Sequence, residues 1–258
     1  MLSHHARLEL RSAFSLRHGV LLLALFGGVV LDSYLLPAMP AAVYRFFERL
    51  CRMRSWTEIV LFNDYMAVFA GLFWVGVVDS LRVHVVPVEE GYLDLLLSKP
   101  LARSRYLLAR VLPIFAVIAL MGVGLSLFLP LKIALINGPR DLDVPGTIGA
   151  ALAIVALVLA CVAVLNLVFL FAKETYHAVL LSFVLFAAVV LPGAMFMYRP
   201  DLFAGREALR DVVVFPANLV WHAGAMPALA PALSLAALAL SAAMILLGAR
   251  RLERADVG

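Results

Sequence analysis

Four stretches of the chain contain no Asp, Glu, Lys or Arg: 111–131, 144–172, 175–198 and 212–249, of 21, 29, 24 and 38 residues. A membrane-spanning helix needs about 20 mostly apolar residues, so each stretch is long enough to cross a bilayer. Two less clean runs precede them. One, about 19–38, is interrupted by Asp32 and ended by Pro37 and Pro40. The other, about 59–81, contains Asp64 and Asp79 with only 14 uncharged residues between them. The pattern predicts six transmembrane helices, at about 19–38, 59–81, 110–130, 147–171, 176–197 and 228–249. Outer-membrane strands, which alternate polar and apolar over about 10 residues, do not fit such runs.

Between the runs the periodicity is amphipathic. Residues 1–17 carry Arg7, Arg11 and Arg17 together with Leu8, Phe14 and Leu16, the pattern of an interfacial helix feeding the first span. A secretory signal is the competing reading. Its apolar core is only about 7–15 residues, shorter than the run 18–36. In 41–54, Val43, Phe46, Phe47, Leu50 and Met53 recur at helical spacing opposite Arg45, Glu48, Arg49 and Arg52. A helix lying flat on the membrane surface is expected there. Lys173-Glu174 forms a very short turn, and 199–227, with Pro200, Pro216 and Pro227, a longer extracytoplasmic connection. The whole of 1–258 reads as a single transmembrane domain.

Composition agrees and excludes other classes. Hydrophobic residues make up 64% and charged residues 15%, against about 25% charged in soluble domains. Disorder needs the opposite balance. The net charge of +4 comes from basic residues at the ends of apolar runs, with no basic stripe interleaved with aromatics, so no nucleic-acid partner is expected. Cys51 and Cys161 lack metal-ligand spacing, and a disulfide between them is not expected. With the N-terminus in the cytoplasm, 12 Lys/Arg fall inside and nine outside, the sign the positive-inside rule requires. A five-span alternative, in which 19–38 enters and leaves on one side, gives 16 against five.

The segment 87–110, PVEEGYLDLLLSKPLARSRYLLAR, carries the most information. Pro87 suits the first turn of a helix, and Glu89 and Glu90 would then sit at its positive end. Val88, Tyr92, Leu95 and Leu96 share a face. Ser98-Lys99-Pro100 breaks the helix, and a second helix restarts with Arg103 and Arg105 and runs into span three. A cytoplasmic helix-break-helix is expected, apolar toward the membrane and charged toward water.

The run Glu90-Gly91-Tyr92-Leu93-Asp94-Leu95-Leu96-Leu97-Ser98-Lys99-Pro100-Leu101-Ala102-Arg103, just before a span, resembles the signature of ABC-2-type transporter permeases. The basic N-terminal helix, the six spans, the proline-containing connection before the last span and the Arg250-Arg251 tail resemble the same family. The likeness is greatest to short permeases of multi-subunit exporters, including those of the nitrous-oxide-reductase maturation type. It implies an all-α, type V exporter-like membrane subunit of the bacterial inner membrane, with both termini cytoplasmic. It also implies a second permease copy or related chain, and a separate ATPase subunit that binds ATP and Mg. The 88–106 element would be the coupling helix, with Glu89, Glu90, Gly91, Leu95, Lys99, Pro100, Arg103 and Arg105 at the ATPase. The residues themselves agree on one point: the chain has no Gly-x-x-x-x-Gly-Lys-Ser/Thr loop, so energy from ATP must come through a partner.

Ionisable groups within spans are costly and default to functional candidates. Asp32 and Asp64 lie at similar depth toward the outer side and are candidates for a translocation path; the alternative is pairing at the interface with Arg45 or Arg49. Asp79 marks the cytoplasmic end of span two. Asn166 is a further path candidate, with an interhelical hydrogen bond as the plainer role. Met195, Met197, His222 and Met226 form a soft-ligand pattern for Cu(I), but methionine is common apolar filler and no metal site is expected. Glu89-Glu90 lacks the following Arg of intramembrane metalloproteases, and His177 lies at a span edge with no second His in a span, so an enzyme is not expected. A membrane anchor or assembly factor would share the composition and is the alternative function.

Overall fold

The structure is a computed structural model that describes residues 16–51, 55–91, 103–136, 142–198, 201, 204–206 and 230–254. Among these residues the chain is helical without strands. The elements are α1 (Leu16–Leu35), α2 (Ala41–Cys51), α3 (Trp56–His84), α4 (Val86–Glu89), α5 (Arg103–Ile136), α6 (Val144–Phe169), α7 (Thr175–Tyr198) and α8 (Ala230–Arg254). Five helices are long and apolar enough to cross a membrane, within α1, α3–α4, α5, α6 and α7, and α8 carries a shorter apolar helix, Ser234–Arg250. The chain is therefore an all-α polytopic membrane protein. Residues 1–15, which hold most of the expected interfacial helix, and the greater part of the 199–227 connection lie outside the described residues.

Local chemistry sets several boundaries. Ser55 caps α3, accepting from the Glu58 amide at 3.2 Å, in the Ser-x-x-Glu arrangement that opens helices. Asp143 caps α6 through the Gly146 amide at 3.1 Å, with Pro145 in the first turn, where its missing N–H costs nothing. α5 contains Pro113 and Pro130, each of which removes one amide from the helical ladder. It nevertheless runs on to Ile136, six residues beyond the expected end of the third span. Arg250 to Arg254 continue α8 rather than forming a separate tail.

Contacts between distant residues fix the direction of the helices. Arg17 and His18 at the start of α1 meet Asp79 near the end of α3. The Val29 carbonyl, farther along α1, meets Lys132 near the end of α5. Tyr65 in the first half of α3 donates to the Thr147 carbonyl at the start of α6, at 3.1 Å. Leu107, Val111 and Ala249 form a small cluster with Leu170, which brings the end of α8 to the start of α5. Successive long helices thus alternate between an Arg17 end and a Lys132 end of the bundle. α1 is one continuous helix between these contacts. α1 begins and α8 finishes at the Arg17 end.

α6 sits at the centre, packed against α3, α5 and α8. Its sequence is apolar on every face, as expected for a helix with neighbours all round. The main core joins Ile59, Tyr65, Phe69 and Leu72 of α3 to Ile118, Leu125 and Leu129 of α5 and Ile154 and Val158 of α6. α7 attaches mainly through rings: Phe186 stacks on Phe69 with centroids 5.5 Å apart, and Phe183 meets Trp74 at 4.6 Å. α2 is amphipathic as expected, but its apolar face covers the bundle as well as any membrane surface. Tyr44 lies against Trp56 at 5.1 Å and Phe47 against Phe62 at 6.2 Å.

Candidate functional site

Burying a charge in an apolar bundle is tolerated when it is paired. Among the described residues, one such pair lies deep in the bundle. Asp64 is 0% and Lys132 2% exposed, and Lys132 Nζ lies 2.5 Å from Asp64 Oδ2. Nζ also donates to the Val29 carbonyl at 2.8 Å. Asp64 stands eight residues into α3, about 12 Å from the start of that helix at 1.5 Å per residue. The pair therefore ties α1, α3 and α5 together at the Lys132 end. Asp32, partly exposed one turn beyond Val29, lies within electrostatic reach of both partners. Ser33 is 2% exposed. Asp64 Oδ1 and Ser33 Oγ are buried without a hydrogen-bond partner.

These positions correct the sequence reading. Asp64 pairs with Lys132 rather than with Arg45 or Arg49. Lys132 is missed altogether, because a third span ending at 130 assigns it to a loop. Two signals in the sequence point to it. Only three lysines occur in the chain, and 131–136 continues the apolar run around this one. Lys132 is therefore a helix residue rather than a loop charge.

Asn166 belongs to a second polar cluster, near the Arg17 end. Its Oδ1 lies 2.6 Å from His84 Nε2, and its Nδ2 donates to Ser80 Oγ at 2.9 Å and to the Val162 carbonyl at 2.7 Å. The side chain thus locks α6 to the last turns of α3, far from Asp32 and Asp64, so the three path candidates do not share one site. Interhelical hydrogen bonds in membranes contribute about 0.6 kcal/mol on average and up to about 1.7. Asn166→Leu strands both His84 and Ser80, so a loss of about 1–2 kcal/mol is expected, read as a lower unfolding midpoint in detergent. An unchanged midpoint would show that the cluster holds nothing together. His84 and His18 are both buried in long helices, which corrects the expectation that no second histidine falls within a span. The two engage Asn166 and Asp79 respectively, at separate places.

The 88–106 element differs from expectation where it is described. α4 is a single turn, Val86–Glu89, and the chain leaves it through Gly91 with φ +73°, a left-handed conformation that glycine adopts without a Cβ penalty. The helix expected to continue through Leu96 therefore ends earlier. Glu89 and Glu90 stand at the close of the turn rather than at the positive end of a long helix. Glu89 instead accepts a hydrogen bond from the hydroxyl of Thr175, the first residue of α7. Leu95, Lys99 and Pro100 lie outside the described residues, as do the side chains of Arg103 and Arg105, although α5 does restart at Arg103 as expected. Met195, Met197, His222 and Met226 likewise have no described side chains. Cys161 is a buried free thiol.

Neither a scan against protein-family models nor a search of curated proteins finds a match to this chain.

Proposed function

We propose that the chain is the membrane-spanning permease subunit of an ATP-driven exporter, moved by a separate ATPase. In this reading six spans cross a bacterial inner membrane, both termini lie in the cytoplasm, and a second permease copy or related chain completes the path. The observation that carries the proposal is the link between Glu89 and Thr175. The turn 85–91 follows α3 directly, and the chain leaving it returns as α5. A force on 88–106 reaches α3 and α5 through the backbone and α7 through this hydrogen bond. A partner that closes on ATP would then tilt three helices at once, while the ion pair at the far end holds α1, α3 and α5 until they part. Asp32 and Asp64 would be exposed to cargo as that end opens.

The alternative is a membrane anchor or assembly factor, for which the turn would merely finish the topology. The test is a mild-detergent pull-down from the native host, with mass spectrometry of what accompanies the chain. A stoichiometric ATPase is expected, lost when Glu89 and Glu90 are both changed to Ala. Thr175→Ala, which keeps both acids but cuts the link to α7, is expected to retain the ATPase while uncoupling it. A preparation with no ATPase, even after crosslinking, would favour the anchor.

A further inference from the structure

At the Arg17 end, α1 and α3 enclose an apolar groove with a polar rim. The two helices pack closely at Gly71, where an added Cβ would lie 2.5 Å from Leu25 Cδ2. Toward the end they part around a cavity of about 360 Å³, walled by Leu21, Ala24, Leu25, Trp74 and Val78 and rimmed by Arg17, His18 and Asp79. That volume is within the ~300–1,000 Å³ of ordinary small-molecule sites.

The rim is incompletely satisfied. Arg17 Nη2 donates to Asp79 Oδ1 at 2.5 Å, and His18 Nε2 lies 2.8 Å from Asp79 Oδ2. Both carboxylate oxygens are thus engaged. Arg17 Nε and Nη1, however, are buried with no hydrogen-bond partner, although 31% of the side chain as a whole is exposed. A guanidinium normally fills its donors, and a buried donor left empty carries its full desolvation cost. Unfilled donors at the rim of an apolar groove suit a ligand that carries both an acceptor and an apolar body.

We propose that this groove binds a membrane phospholipid, with its phosphate on Arg17 Nε and Nη1 and one acyl chain along Leu21, Leu25 and Val78. Three properties point to this occupant. Arg17 is the second residue of a helix long and apolar enough to cross a membrane, so it stands at the end where headgroups would lie. Arg donors and phosphate oxygens form the strong, charge-assisted class of hydrogen bond. The groove below is apolar and opens beside α1, the loosely packed first helix. A lipid seated there would fill the gap between the Gly71–Leu25 contact and the Arg17–Asp79 bond.

The test is native mass spectrometry of the full chain, with whatever subunits accompany it, in a mild detergent with phosphatidylglycerol added stepwise. One tightly held phosphatidylglycerol per chain is expected. Arg17→Gln should weaken retention about tenfold, the loss expected on removing a charge-assisted hydrogen bond. Ala24→Phe, which fills the groove and leaves Arg17 in place, should weaken it to a similar extent, and it keeps the test decisive if Arg17→Gln does not fold. Diacylglycerol, with the chains but no phosphate, should not be retained. Equal retention by the wild type and both variants, equal retention of diacylglycerol, or a groove occupied by a second copy of the chain would each overturn the proposal.

Discussion

Lys132→Met is expected to destabilise the bundle by about 3–5 kcal/mol, the range for removing one partner of a buried ion pair. The reason lies in what remains. Asp64 is 0% exposed, and its Oδ1 already lacks a partner. Without Lys132, the other oxygen loses its partner too, and the Val29 carbonyl loses its contact with α5. Either a bare carboxylate stays in an apolar interior or it takes a proton and the three helices repack. Asp64→Leu combined with Lys132→Met should recover most of the loss, because well-packed apolar residues often replace a buried pair without penalty. Unfolding in detergent micelles, followed by circular dichroism, measures both variants. A single variant as stable as the wild type would show that the pair is not buried as described.

Gly76→Leu should be nearly as damaging, at about 3 kcal/mol, the upper part of the range for overpacking a close-packed core. Gly76 lies where α3, α5 and α6 converge. A Cβ there would overlap Val162 of α6 and come within 3.0 Å of Ile118 Cδ1 of α5. Small residues let membrane helices approach in this way, and the central helix has no free side toward which to move. Gly27→Leu is the control. Nothing lies within 4 Å of a Cβ at Gly27, and leucine is a better helix former than glycine, so no loss or a small gain is expected. Equal midpoints for the two variants would mean that α3 and α6 are not in contact at this level.

Both predictions concern residues that the sequence presents ambiguously. Gly76 interrupts an apolar run without any GxxxG spacing to signal an interface. Asp64 and Asp79 make the second apolar run the least regular in the sequence, yet α3 is an unbroken helix from Trp56 to His84. Its acids are accommodated by Lys132, 68 residues away, and by Arg17 and His18, 62 and 61 residues away. None of these separations leaves a periodic trace, because each partner lies on another helix. After Glu89 the backbone turns at Gly91, φ +73°, which the apolar face through Leu96 does not signal; residues 92–102 lie outside the described residues.

What the sequence determined by itself was the set of helices and their solvent. Runs of about 20 apolar residues have no stable place in water, and in a bilayer their backbone polar groups can be satisfied only within the segment, as helix. Caps such as Ser55 and Asp143 then set where helices begin. The tertiary structure decided which faces meet and which charges are buried. A helix apolar all round, as α6 is, has no preferred side, so its neighbours cannot be read from its own residues. The placement of Lys132 inside the bundle, and of Arg17 at the rim of a groove, follows from the packing of three helices. In lipid, that packing is set by van der Waals fit and by polar partners that find one another only across helices.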